Sequence, residues 1–135
     1  MPLAFFLFVR YYIFMGTKKY LLFVYGTLKS NHKANYLLNS CQFLGLAKTC
    51  PEYSLYSLGN YPALIEDPEG MSITGEIYEI NDYVKEDLDV YEGVKYGLYK
   101  FAEVKIEKPD LSPDKIYTYL FLGNLENANK IPSWP

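Results

Sequence analysis

Three short stretches hold the groups whose types and spacing could do chemistry. Tyr25-Gly26-Thr27-Leu28 directly follows the apolar run Leu21-Leu22-Phe23-Val24. A strand that breaks at a glycine exposes consecutive backbone N–H groups at its end, and such a cluster can hold a carboxylate or a developing oxyanion. Further along, Leu88-Asp89-Val90-Tyr91-Glu92-Gly93 sets a carboxylate at the end of a helical pattern, and Gly75-Glu76-Ile77-Tyr78 precedes that helix.

Glu92 is the carboxylate best placed to act as a base. Val84, Leu88 and Tyr91 fall at i, i+4 and i+7 and define the buried face of the helix. At the helical spacing Glu92 lies about 40° past Leu88, at the margin of that face, so its carboxylate can point inward. Partial desolvation and the negative end of the helix dipole would both raise its pKa. The alternative is an exposed residue of the last turn. Asp89 is expected to point away from the core, Glu76 and Glu79 to be exposed alternates of a strand, and Glu66-Asp67 to begin a turn, so no paired carboxylates are expected.

Other chemistries are poorly supplied. His32 is the single histidine and Cys41 and Cys50 the only cysteines, too few for a zinc spacing or for a Ser/His/Asp or Cys/His arrangement. No metal and no cofactor are expected, and the cysteines read as reduced thiols of a cytoplasmic protein. A net charge of −3 with dispersed lysines argues against a nucleic-acid partner. The apolar segment Met1–Phe14 is interrupted by Arg10 and closed by Lys18-Lys19, which fits neither a secretory signal nor a membrane span. Met15 reads as a natural start, leaving 1–14 as an extension or, alternatively, an added strand or partner-binding arm. The fifteen tyrosines read mainly as packing. The oligomeric state is left open.

These residues need a scaffold. A helix is expected over Asn31–Leu38, capped by Ser30 or Asn31. Strands are expected over Cys41–Lys48, Tyr53–Leu58, Tyr61–Ile65 and Met71–Ile80, separated by Pro51, Gly59-Asn60 and Asp67-Pro68-Glu69-Gly70. Asn81-Asp82 would cap a second helix, ended by Gly93. Alternation from Ala102 to Ile106 and the run Ile116–Leu122 complete the strands. Without a βαβ repeat, the pattern predicts an α+β fold: a small mixed, largely antiparallel β-barrel with two or more short helices. One domain over 15–123 is expected, followed by a polar, mobile tail over 124–135.

Taken together, Phe23-Val24-Tyr25-Gly26-Thr27-Leu28-Lys29, Tyr61-Pro62-Ala63, Gly75-Glu76-Ile77-Tyr78-Glu79-Ile80, Leu88 to Gly93, Tyr99 and Tyr119 resemble the γ-glutamylcyclotransferase-like superfamily over roughly Tyr20 to Leu122. The loop threonine, the Tyr-Pro-Ala turn and the compact length look closer to its γ-glutamylamine cyclotransferase, avirulence-induced-gene-like branch. The resemblance implies a small γ-glutamyl substrate whose α-amine attacks its own side-chain carbonyl, forming 5-oxoproline and expelling an amine. It makes Glu92 the catalytic residue and Tyr25, Gly26, Thr27, Leu28 and Tyr119 the substrate-binding ones. It departs at Tyr99-Lys100-Phe101, where the family often has arginine in place of Lys100. A catalytically silent ligand-binding or interaction domain on the same fold is the alternative.

Overall fold

The computed structural model describes residues 18–135, so the expected extension over 1–14 and the start at Met15 lie outside the described residues. In chain order the elements are β1 (Lys19–Val24), β2 (Gln42–Thr49), β3 (Tyr53–Ser57), β4 (Pro62–Glu66), β5 (Thr74–Asn81), α1 (Asp82–Tyr91), β6 (Tyr99–Val104), β7 (Ile106–Lys108), β8 (Ile116–Phe121) and β9 (Asn129–Ile131). Single 3-10 turns occur at Asn35–Leu38 and Val94–Tyr96. The fold is α+β, with a mostly antiparallel sheet ordered β6-β8-β1-β5-β2-β7 and a second sheet ordered β4-β3-β9. Strands β6 and β7 sit at opposite edges of the large sheet yet are joined through Lys105 alone, so the sheet curls until its edges approach. No helix among the described residues is long and apolar enough to cross a membrane.

The continuous apolar run of β1 explains its central place, because a strand covered on both faces cannot alternate apolar with polar. Leu22 and Val24 join the core beneath α1, with Val84 and Leu88, while Phe23 and Tyr25 join Tyr53, Leu55 and Leu64 on the other face. Antiparallel pairing with β5 runs from Lys19↔Asn81 to Val24↔Glu76, and β8 lies parallel on the other side at Leu21↔Ile116. The loop after β1 therefore leaves from the middle of the sheet.

Helix α1 has its expected ends and buried face. The Asn81 side chain accepts from the Val84 amide at 3.0 Å, and Gly93 supplies the left-handed exit at φ 66°. Val84 and Leu88 are buried; truncating Leu88 to alanine should cost about 2–5 kcal/mol.

Two expectations are corrected. The helix foreseen over Asn31–Leu38 shrinks to one 3-10 turn at Asn35–Leu38 with no side-chain cap. Asn31 adopts φ 65°, outside helical space, and Ser30 is drawn to Glu76 instead. The tail over 124–135 contains β9, which pairs with β3 from Leu55↔Ile131 to Ser57↔Asn129, and Trp134 packs against the core.

Candidate active site

A narrow pocket opens where the loop after β1 meets the C-terminal end of α1. All six residues singled out from the sequence line it: Tyr25, Gly26, Thr27, Leu28, Glu92 and Tyr119. Tyr61, Pro62, Tyr99 and Thr118 contribute from β4, its preceding turn, β6 and β8.

The loop presents its amides and hides its carbonyls. Gly26 O accepts from the Lys29 amide at 3.0 Å, Thr27 O from the Ala34 amide at 2.9 Å, and Leu28 O from Asn35 Nδ2 at 2.8 Å. Among the described residues the amides of Tyr25 to Leu28 find no protein acceptor. Unmatched amides in succession are what an anionic ligand group requires. Glycine at position 26 has a packing reason not visible in the sequence: a Cβ there would stand 2.1 Å from Pro62 Cγ. The start of β4 at Pro62 thus closes directly onto the loop. Thr27 Oγ1 and the Tyr91 hydroxyl, 2.9 Å apart, tie the loop to the end of α1.

Glu92 caps α1 at φ −84° and ψ −2°, its amide bonded to the Leu88 carbonyl at 2.8 Å. Its carboxyl keeps an opening to the pocket but is largely withdrawn from bulk water. No described side chain or amide donates a hydrogen bond to it. Desolvation pushes its pKa up to about 7, so the group can both hold and release a proton near neutrality.

Of the phenols that line the pocket, three respond to the charge of this carboxyl: Tyr25, Tyr99 and Tyr119. Burial raises all three pKa values, keeping the hydroxyl protons in place. Each proton has a fixed acceptor. Tyr25 donates to Tyr119 O at 2.6 Å, Tyr99 to Pro62 O at 2.7 Å, and Tyr119 to Asp89 Oδ1 at 2.7 Å.

Two carboxylates differ from the sequence reading. Glu76, expected to be exposed, is buried, with Oε1 accepting from the Ser30 amide at 2.7 Å and Oε2 from the Ser30 hydroxyl at 2.6 Å. The loop folds back over the end of β5 and covers it, which a two-residue alternation cannot foretell. Asp89, expected to face away from the core, is half-buried and bound by both Tyr119 and Lys85 Nζ, the latter at 2.8 Å. Its flank of the helix meets β8. In the sequence Tyr99 figures only as a piece of a resemblance, and Tyr61 as that and as the start of an expected strand. Without tertiary contacts nothing separated them from the other tyrosines.

The model of the family described as "Gamma-glutamyl cyclotransferase, AIG2-like" matches residues 22–134. The chain belongs to this family. It is 41% identical over 76 residues to the "Putative gamma-glutamylcyclotransferase" of Vibrio cholerae serotype O1, covering 56% of this chain and 64% of that protein. It is 34% identical over 68 residues to the gamma-glutamylcyclotransferase family protein YtfP of Escherichia coli K12, covering 50% of this chain and 58% of the relative. The matched segments thus span under two thirds of these relatives' lengths. The crystal structure of an AIG2-like protein from Mus musculus superposes with a TM-score of 0.73 at 22% identity, covering 87% of this chain and 88% of that one, which shows the shared fold.

Proposed function

We propose that this chain is a γ-glutamyl cyclotransferase that releases 5-oxoproline and a free amine from a γ-glutamyl amine. The observation that carries the reading is a single pocket in which a desolvated carboxyl with no hydrogen-bond donor, Glu92, faces a loop of unmatched amides, Tyr25 to Leu28.

The substrate's α-carboxylate would lie on the loop amides. Its α-nitrogen then forms a bond to the γ-carbonyl carbon, and the bond from that carbon to the departing nitrogen breaks. Two protons leave the attacking nitrogen over the whole reaction and two arrive on the departing one. A carboxyl that accepts and returns them in turn balances both transfers, and Glu92 has the tuned pKa for it. The attack is intramolecular, so the protein supplies orientation instead of a nucleophile. Tyr119 lines the same pocket, its hydroxyl bonded to Asp89 Oδ1.

An amine in preference to glutathione is supported by the lining, which among the described residues includes no lysine or arginine to clamp a second carboxylate. Lys29 is turned to the Trp134 carbonyl, and Lys33 lies over the Tyr61 ring while donating to Asn60 O. Assaying 5-oxoproline release from γ-glutamyl amines, γ-glutamyl dipeptides and glutathione tests the reading. A higher kcat/KM for a γ-glutamyl amine is expected. A preference for glutathione would overturn the amine assignment, and no 5-oxoproline from any of them would overturn the enzyme.

A further inference from the structure

We infer that the phenol oxygens of Tyr99 and Tyr119 form, with Glu92, an acceptor-only subsite for the substrate's α-ammonium group, with Asp89 as a positioning residue that sets the polarity of Tyr119. The inference rests on the cyclotransferase reading and states which substrate group these tyrosines take.

The argument is one of donors and acceptors. A phenol has one proton to give and lone pairs to receive with. Tyr99 spends its proton on the Pro62 carbonyl at 2.7 Å, which can only accept. Tyr119 spends its proton on Asp89 Oδ1, and the other oxygen of Asp89 accepts from Lys85 Nζ at 2.8 Å. Both phenols line the pocket, and both respond to the charge of Glu92. With their protons committed elsewhere, they offer a ligand only oxygen lone pairs. Tyr25 is excluded because its oxygen is engaged with the Leu64 amide and its proton with Tyr119 O.

An ammonium group carries three donors and no acceptor, the complement of two phenol oxygens and one carboxylate. A hydroxyl or carbonyl ligand group would meet acceptors it cannot fully satisfy, and a carboxylate would be repelled. The arrangement therefore separates the two ends of an α-amino acid: loop amides for the anion, phenol oxygens and Glu92 for the cation. After Glu92 takes one proton, the remaining N–H bonds can stay on the phenols and hold the nitrogen against rotation.

The test compares L-glutamine, the smallest γ-glutamyl amine, with glutaramate, which is glutamine lacking its α-amine. Their dissociation constants are measured by titration calorimetry on the wild-type chain and on Tyr99→Phe, Tyr119→Phe and Asp89→Ala. The wild type should prefer glutamine by about tenfold or more, as charge-assisted hydrogen bonds imply. Each substitution should cut that preference by about threefold to tenfold while leaving glutaramate binding within about twofold. Asp89→Ala is the sharpest arm, because it removes no pocket-lining residue: it frees the Tyr119 proton to turn inward and leaves Lys85 without its partner on the far side. Equal wild-type affinity for the two ligands overturns the subsite whether or not the variants fold, and leaves the cyclotransferase reading to the 5-oxoproline assay. Equal weakening of both ligands by the substitutions assigns the tyrosines to structure alone and overturns it as well. Binding of neither ligand overturns the subsite and the substrate assignment together.

Discussion

Glu76 and Glu92 both meet the loop that follows β1, one from β5 and the other from the end of α1, and the protein treats them differently. Glu76 is buried and saturated, with the Ser30 amide, the Ser30 hydroxyl and the Tyr78 hydroxyl on its oxygens. Glu92 is desolvated with no donor supplied, and its pKa climbs to about 7. Burying a carboxylate with its hydrogen bonds made fixes a charge in place and shapes whatever donates to it. Burying one without them leaves the proton free to come and go. The first arrangement suits a strut beneath the loop, and the second suits a group that handles protons above it.

The contrast is broken most directly at Glu92. Glu92→Gln should lower turnover by about 10²–10⁴-fold without lowering the melting temperature, since no hydrogen bond to the carboxyl is lost. Turnover within about tenfold of wild type would remove Glu92 from the reaction.

The pH dependence sharpens the same point. In a pH series, kcat/KM should rise along an acid limb centred near pH 7, falling about tenfold per unit below it. Stability should move the other way. The folded carboxyl keeps its proton to about pH 7, while its ordinary value is 4.5, so the advantage of the folded form is complete below 4.5 and is lost as pH rises through 7. Thermal melts of wild type and Glu92→Gln should therefore diverge with rising pH, the variant becoming relatively more stable. Parallel curves would show that Glu92 is not desolvated.

Glu76→Ala tests the strut. It should lower unfolding free energy by about 1–3 kcal/mol in urea titrations, because the Ser30 groups lose their acceptor. It should raise KM more than it lowers kcat, as the loop amides lose their fixed positions. Wild-type stability and KM would mean that the loop is held by its own turns. Gly26→Ala approaches the loop from the Pro62 side, where the new Cβ must displace a ring carbon 2.1 Å away. A loss of about 1–3 kcal/mol is expected, with weaker ligand binding, and unchanged affinity would show that the loop can shift harmlessly. The smallest effect is expected at Lys100, which is exposed on β6 opposite Leu120. Lys100→Ala should change stability by less than about 0.5 kcal/mol and turnover by less than about threefold, the result that separates this face from the pocket.

Local patterns determined a good deal. The apolar run before Tyr25 demanded a strand buried on both faces. The spacing of Val84, Leu88 and Tyr91, with Asn81 before them and Gly93 after, specified a capped helix whose end turns Glu92 toward the core. These are short-range matters of periodicity and backbone conformation, and they suffice to place a loop and a carboxylate at the ends of two elements. What only the tertiary structure decided were the partners. Whether Glu76 is exposed depends on a loop 46 residues away in the chain folding over it. Whether Tyr119 offers a proton or a lone pair to the pocket depends on Asp89, 30 residues earlier on another element. The tail became β9 because β3 had an unpaired edge to fill, and glycine was required at position 26 because Pro62 occupies the space beside it. Hydrogen-bond saturation and steric exclusion are pairwise properties of residues brought together by folding, so no reading of one segment by itself contains them.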